Sequence, residues 1–388
     1  MPDQFTTVTT KSYGSRIMSS IQGVLVGFLL FIVSFGVLFL NEGRVDLSKI
    51  AKKSIEISGT EQAAADKDGS FVSASGTVVS DESLGDGTML LPGKYLSVTR
   101  KPEMYAWVEK KEEKTQSNTG GSETTTTTYT YVKEWTSSPA NSSSFKEQAG
   151  HVNPTMTAQG GEYTVGTLKV GVYSVDGKTV SLPGEEALSL TSTNIALPAG
   201  ASISGNAVYL NNASASNPIV GDQRVTYTVL HGGFDGTVFG ELHGNKISKY
   251  TDAKGNELYR VFEGNRSAAI ATMHGEFIAL LWIFRLVGFM MMWIGLSMIL
   301  APVAIILDFF PILGSLGKMA ISIITLAIAI PLSIITIVVS AVVHSVVALL
   351  VVLALALAGI GYVMYKNKDK MPKMPSMGDM AGKMMGGK

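Results

Sequence analysis

Apolar and polar positions divide this 388-residue chain unevenly. One uncharged apolar run lies near the N-terminus, at Ile21 to Leu40, and the others crowd between about Phe277 and Tyr365. Between them runs a polar stretch, Asn41 to Glu276, with Gly-rich punctuation. A helix rises about 1.5 Å per residue, so about 20 apolar residues cross a hydrocarbon core about 30 Å thick. Ile21–Leu40 meets that length, and its exit, Asn41-Glu42-Gly43-Arg44, is no signal-peptide cleavage site. Leu286–Ile306 is the second predicted span, preceded by an interfacial segment from Phe277. Met319–Tyr365 carries no Lys, Arg, Asp or Glu over 47 residues, too many for one crossing. Ser340, His344 and Ser345 suit a turn there, which splits it into spans at Met319–Ala341, kinked at Pro331, and Ser345–Tyr365.

Short flanks rich in Lys and Arg stay in the cytoplasm. The tail from Lys366 has six lysines against two aspartates, and Lys11 and Arg16 precede the first span. Both ends inside require an even number of spans. The expectation is therefore an α+β membrane protein with four transmembrane helices, one N-terminal and three C-terminal. A large, mostly-β extracytoplasmic domain (41–276) lies between the first and second. Residues 1–20, the loop 307–318 and the tail 366–388 are then cytoplasmic.

Within the polar stretch the apolar period changes to two. Strands are predicted at Phe71–Val79, Tyr163–Val175, Ala207–Leu210, Arg224–Leu230, Thr237–Leu242 and Leu258–Phe262. Turns are expected at Asp176-Gly177, Asn211-Asn212, Asp235-Gly236 and Lys254-Gly255-Asn256. Val45–Ile57 is expected to extend the first helix. One hairpin is specific enough to read in register. Its arms are Glu103–Lys111 and Thr127–Thr136, joined by a Thr-rich linker through Thr119-Gly120-Gly121 that is expected to be exposed and mobile. Tyr105, Trp107 and Glu109 share one face of the first arm; Tyr129, Tyr131, Lys133 and Trp135 share one face of the second. A symmetric register sets Tyr105 against Trp135 and Trp107 against Lys133, an aromatic ladder along one face.

Composition narrows the chemistry. Lys+Arg and Asp+Glu both total 31, which gives none of the basic surplus of a nucleic-acid binder. There are no cysteines, so disulfides, thiolate metal sites and Cys nucleophiles are excluded. His151, His231, His243, His274 and His344 lack metal-binding spacing, although His231 and His243 could converge across a turn. No P-loop, GxSxG or dinucleotide fingerprint is present. No catalytic residue, cofactor or metal is therefore expected. The predicted spans hold no Asp, Glu or Lys, and Arg285 sits at the outer edge of the second. The Met/Lys-rich tail is read as touching anionic lipid.

Five segments in order resemble the transmembrane protein 43 (LUMA) family. They are Phe39-Leu40-Asn41-Glu42-Gly43-Arg44; Met104-Tyr105-Ala106-Trp107-Val108-Glu109 with Tyr129-Thr130-Tyr131 and Glu134-Trp135; Gly150-His151-Val152-Asn153-Pro154; and Gly221-Asp222-Gln223-Arg224-Val225. The fifth is the C-terminal block of Arg285-Leu286-Val287-Gly288, Asp308-Phe309-Phe310-Pro311 and Leu332-Ser333. The resemblance implies a four-span protein with a large luminal or periplasmic domain, associated with membrane organisation and self-association, with no established enzymatic activity. Emerin and lamins are partners of animal members; the chain reads as a prokaryotic member, to which those contacts do not carry over. The Thr-rich insert and the tail depart from the family.

The same residues have direct physical readings. Glu42 and Arg285 could clamp the first span to the second, or snorkel separately into headgroups with Arg44. Asp308 could cap or pair with Lys318. His151-Val152-Asn153-Pro154 reads as a turn locked by Asn and Pro. Asp222 and Arg224 lie two apart and could bond within the sheet. Gly23, Gly27 and Gly288 allow close helix approach. The expectation is a non-enzymatic scaffold, a homo-oligomer in the lipid bilayer that organises membrane or other membrane proteins, without nucleic acid. The setting is a bacterial inner membrane with the domain periplasmic; in a eukaryote it is the endoplasmic reticulum and inner nuclear membrane with the domain luminal. The alternatives are a channel or lipid-handling protein built on the C-terminal helices, and an unrecognised hydrolase.

Overall fold

The computed structural model describes residues 3–59, 64–118, 120–308 and 314–345, with a few helical positions between 350 and 362. The chain divides into two compact units: residues 1–23, 45–282 and 300–320 form a β-rich unit, and residues 24–44, 283–299 and 321–388 an apolar helical one.

The β-rich unit holds two large sheets. In the seven-stranded sheet, Phe234–His243 pairs with Lys246–Ser248 and also with Phe71–Val79. The path returns through Tyr173–Asp176 and Thr167–Val170, which closes a ring of five strands. Closure removes free edges, and the enclosed side chains are apolar: Val72, Ala74, Val78, Leu168, Val170, Tyr173, Val238, Leu242 and Ile247 are buried. This is the physical result of strict alternation at Phe71–Val79, whose bounds match the expectation. The run Tyr163–Val175 is three strands rather than one, because Gly166 and Gly171 interrupt it. Asp235 and Gly236 belong to the strand Phe234–His243, and the turn before it is at Gly232-Gly233 instead. Asn211 and Asn212 do take positive φ, at 55° and 59°.

The eight-stranded sheet is organised by the hairpin. Its long arm, Tyr95–Ser117, pairs with the return arm, Glu123–Thr136, and near its start with Gln223–His231. The register sets Tyr105 opposite Trp135, Trp107 opposite Lys133 and Glu109 opposite Tyr131. The Thr-rich stretch is not a loop. Thr124 to Thr128 are paired strand residues, because β-branched side chains favour extended backbone, and the turn shrinks to 118–122. Thr119 lies outside the described residues.

An outer strand, Asp3–Lys11, completes this ribbon by pairing antiparallel with the return arm, from Asp3 opposite Tyr131 to Lys11 opposite Glu123. Sequence reasoning assigned residues 1–20 wholly to a cytoplasmic tail. The β-branched run from Thr6 to Thr10 favours extended backbone and forms the strand.

Helix boundaries differ from expectation at several points. Helix α1, Tyr13–Glu42, ends just inside the polar stretch. The carboxylate of Asp46 then caps α2, Leu47–Ala51, by accepting from Ser48, and the chain turns into strand Ile55–Ser58. Val45–Ile57 therefore does not extend α1. Helix α3, Arg266–Ile299, begins inside the stretch assigned to the β domain, where Ala269, Ile270 and Met273 pack on Phe239 and Phe262. It ends before α4, Ala301–Leu307, which has Pro302 in its first turn, where a missing N–H costs nothing. Helix α5, Gly314–His344, runs through Pro331 and Ser340 and ends within the expected turn, three residues beyond Ala341.

Among the described residues, three helical stretches are long and apolar enough to cross a membrane: Tyr13–Ala51, Arg266–Ile299 and Met319–His344. The expected fourth span, Ser345–Tyr365, lies largely outside the described residues, as do the tail and Phe309-Phe310-Pro311.

In the helical unit, Leu38, Met292 and Ala329 form the buried centre, flanked by Phe31, Phe35 and Trp293. Close approach needs the missing side chains. A Cβ on Gly27 would lie 2.6 Å from that of Met298, and one on Gly288 would lie 2.6 Å from Leu38. Ser297 and Thr325 share a hydrogen bond at 2.9 Å, and Trp293 donates to the Ser322 carbonyl at 3.1 Å. Such polar groups must find partners inside a membrane bundle.

Candidate functional site at the hairpin base and the helix exit

The residues singled out in the sequence gather in two places, one in each unit. In the β-rich unit it is the base of the hairpin, where the second, third and fourth motifs meet. Trp107 is the centre. Lys133 lies over its ring at 4.5 Å, and His151 meets it edge-on at 4.7 Å. His151 stacks on Tyr131 at 4.0 Å and 18°. Its Nδ1 faces the Glu147 carbonyl at 3.0 Å and its Nε2 the Asp3 carboxylate at 3.3 Å. Both partners are acceptors, so each contact uses a ring N–H that faces it. Asn153 acts as a short piece of strand: its Oδ1 accepts from the Trp107 N–H at 2.7 Å, and its Nδ2 donates to the Trp107 carbonyl at 2.9 Å. Glu109 accepts at 2.6 Å both from the Tyr131 hydroxyl and from the Lys146 N–H. Burial, with the Glu109 carboxylate beside it, pushes the Tyr131 hydroxyl up to about 12.

The fourth motif closes the other side. Trp135 is flanked by Tyr105 at 5.4 Å and Tyr209 at 5.6 Å, and the Arg224 guanidinium lies over its ring at 4.5 Å. Arg224 donates to Glu103 at 2.7 Å on the neighbouring strand. Asp222 does not bond to Arg224. It precedes the strand and ties the turn by accepting from the Ile219 N–H, while its carbonyl takes the Tyr105 N–H. Gly221, at φ +101°, sits where a Cβ would fall 2.9 Å from Pro154. The two motifs are therefore in van der Waals contact, which explains why Pro154 and Gly221 belong together. Gly150 also has positive φ, at 80°, and starts the turn that brings His151 inward.

Sequence reasoning missed a second cluster. The buried Asp86 carboxylate accepts from the N–H groups of Thr88, Met89 and Leu90, from the hydroxyls of Thr88 and Tyr227, and from Arg100. Burial opposes its charge, but the hydrogen bonds outweigh that and hold the carboxyl well below the usual range. Asp86-Gly87-Thr88 is a turn signal, yet nothing local announces Tyr227 or Arg100. Gln223 was also missed: its Oε1 accepts from the N–H groups of Thr157 and Ala158, which moors the segment after Pro154.

In the helical unit the site is the exit of α1. Arg285 grips Glu42 with two bonds, at 2.8 and 2.9 Å, and the Glu42 side chain is nearly buried. Arg44 lies over the Phe284 ring at 4.5 Å. Asn41 is buried. A Cβ on Gly43 would meet the His344 ring at 2.5 Å, so glycine lets α5 approach. His344 packs on Phe39 at 4.6 Å, and Ser340 donates to the Phe39 carbonyl at 2.8 Å. Ser333 bonds only within its helix, to the Ile330 carbonyl. Asp308, in the β-rich unit, pairs with Arg16. The Lys318 side chain and Pro311 are outside the described residues.

His231 and His243 each sit near a glutamate, Glu186 and Glu241 respectively, and among the described residues no cluster of three metal-ligating groups occurs.

A sequence profile of the family described as Transmembrane protein 43 matches residues 104–346. The chain is 24% identical to mouse Transmembrane protein 43 over 340 residues, covering 83% of this chain and 84% of the relative. It is 24% identical to the human protein over 342 residues, with the same coverage. It is 26% identical to the Drosophila melanogaster homolog over 296 residues, or 70% of this chain and 75% of that one. No solved structure matches. The profile spans more than half the chain and takes in most of the hairpin base together with Arg285 and His344, so this integral membrane protein belongs to the transmembrane protein 43 family.

Proposed function

We propose that the chain is a non-enzymatic membrane scaffold that self-associates and organises membrane or partner proteins through its β-rich domain. The observation that carries this reading is how the motif side chains are used. Glu42, Arg285, Gly43, Trp107, His151, Asn153, Arg224 and Gly221 are taken up in contacts that join elements. His151 bonds to a carbonyl and a carboxylate, with no serine hydroxyl in the arrangement a hydrolase would need. The large domain lies outside the cytoplasm, in a periplasm if the cell is bacterial or in the lumen of the endoplasmic reticulum if it is eukaryotic. Lys11, Arg16 and the lysine-rich tail face the cytoplasm.

Light scattering on the detergent-purified chain tests self-association: a protein–detergent complex holding several copies is expected, and a strict monomer overturns the scaffold. The Glu42–Arg285 pair supplies a finer check. Glu42→Gln should weaken assembly, and exchanging the two charges should restore it.

One feature favours a second, lipid-handling reading. Phe35, Gly36, Phe39, Ile335, Thr336 and Val339 line an apolar groove of about 470 Å³ in the helical unit. Cross-linking of a photoactivatable acyl chain at Val339, abolished by Gly36→Phe, would favour it.

A further inference from the structure

The Asp86 cluster in the β-rich unit has an open side. The Asp86 side chain is 0% exposed, and its carboxylate accepts from five neutral groups, the N–H groups of Thr88, Met89 and Leu90 and the hydroxyls of Thr88 and Tyr227. The sixth donor is Arg100, whose Nη1 meets the carboxylate at 3.0 Å and also donates to the Thr88 hydroxyl. The Arg100 side chain is 11% exposed. The pair is therefore a fixed dipole, with its negative end buried and its positive end outward. Arg100 Nε donates to the Gln159 carbonyl at 2.8 Å, and Nη2 has no partner among the described residues. A guanidinium carries five N–H groups, so the two on Nη2 are left to bind something else.

That outward end borders a cavity of about 360 Å³. Thr88 and Gln159 both bond to the guanidinium and both line the cavity with Arg100, so the charged end of Arg100 lies at its wall. Most of the remaining wall is apolar. Met89 and Val225 belong to the buried core beneath it, and Ala201 packs against the same core. Residues 198–201 form one lip. The Asn212 N–H ties that lip to the next turn by donating to the Gly200 carbonyl at 2.6 Å, and Asn211 in that turn adds an amide to the wall. A concave, mostly apolar wall with a few convergent polar groups is the general form of a small-molecule site.

We propose that this cavity binds a small organic monocarboxylate with an apolar body. The carboxylate takes the N–H groups of Arg100 Nη2, and the body lies on Met89 and Val225. The outward positive end of the dipole favours an anion over a neutral group of the same shape. The Asp86 charge behind it favours one negative charge over two, because a dianion meets more repulsion than a single nitrogen offsets. Arg100 is already held by Asp86, Thr88 and Gln159, so little side-chain freedom is lost when the ligand arrives. The site uses no residue of the hairpin base and does not depend on the scaffold reading.

Phenylacetate and its neutral amide, phenylacetamide, are the probes. Each is titrated into the full chain in an uncharged detergent and followed by saturation-transfer NMR, with protein-free micelles as the baseline. The expected result is saturable binding of phenylacetate, with phenylacetamide weaker by about tenfold or more. Ala201→Phe fills the cavity and leaves the Arg100–Asp86 pair in place, and it should abolish binding. Arg100→Gln should bring phenylacetate down to the affinity of the amide, with a melting curve to show that the variant is folded. Equal binding of the two probes overturns the proposal, as does phenylacetate binding that survives Ala201→Phe or a signal no greater than that of micelles alone. Displacement of phenylacetate by an equal concentration of inorganic phosphate overturns the monocarboxylate assignment.

Discussion

From Tyr105 to Glu109 the long arm of the hairpin is partly or fully buried, with Phe145, His151 and Asn153 around its aromatic face. From Lys110 to Ser117 the same arm is exposed throughout. The strand pairing does not change along the way; its register continues unbroken from Met104 to Ser117. What changes is the partner of the side chains. At the base the loop residue Asn153 holds the Trp107 backbone, and the Lys146 and Glu147 N–H groups meet Glu109 and Tyr131. In the distal half the hydroxyls meet one another, as in the Thr10–Thr124 and Thr115–Thr125 contacts. Hydrogen-bonded pairing therefore extends further than tertiary packing does.

The contrast predicts a steep gradient of mutational cost. Asp86→Ala, in the body that holds the hairpin, should be the most damaging. It leaves a buried Arg100 and three N–H groups without their acceptor, at about 3–5 kcal/mol, read as a lowered melting temperature of the solubilised chain. The same group sets an acid limit. Its folded pKa lies below the unfolded value of about 3.9, so its stabilisation is complete above that pH and is lost as pH falls through the folded value. Melting should drop more steeply between pH 5 and pH 3 in the parent than in Asp86→Asn, pH values chosen to straddle about 3.9.

Asn153→Ala comes next, at about 1–3 kcal/mol, because it strips both partners from the Trp107 backbone. A change as small as that of a surface mutation would mean that the loop does not hold the base. Tyr131→Phe should cost about 1 kcal/mol. It also tests an alkaline limit with the opposite sign. The folded pKa is raised to about 12, so the stabilisation is present below the unfolded value of about 10 and is lost as pH rises toward the folded one. Phenolate absorbance should show a late-titrating tyrosine that disappears in Tyr131→Phe. At the low end, Thr126→Ala in the distal half should fall within about 0.5 kcal/mol in detergent. A larger loss confined to membranes would sharpen the comparison, by showing that the distal half is packed only there.

Most of the elements were legible in the sequence because their signals are local. Alternation marks Phe71–Val79, and the same-face aromatics of the two arms set the register at Tyr105 and Trp135. Errors fell where a local pattern was ambiguous or a charge argument displaced it. The threonines after Glu123 read as a linker by composition but are β-branched and pair as strand. Residues 266–276 were counted with the strands, yet their helix is an extension of an apolar one. Of the candidate sites, the pairing of Glu42 with Arg285 could be guessed, since two opposite charges flank apolar runs. The contacts of Gly43 with His344 and of Gly221 with Pro154 could not, because each is a steric fact about two backbones brought together from far apart in sequence.

By itself, then, the sequence determined which stretches are apolar enough to leave water, which alternate as strands, and that no cysteine chemistry is available. These depend on residues within a few positions of one another. Only the tertiary structure decided that a strand before the first apolar helix pairs with one more than a hundred residues after it. It also decided that Asp86 is met by Tyr227 and Arg100, and that Arg16 is met by Asp308. Those choices rest on closing long loops and on burying charge against its partner, and neither leaves a periodic mark in the chain.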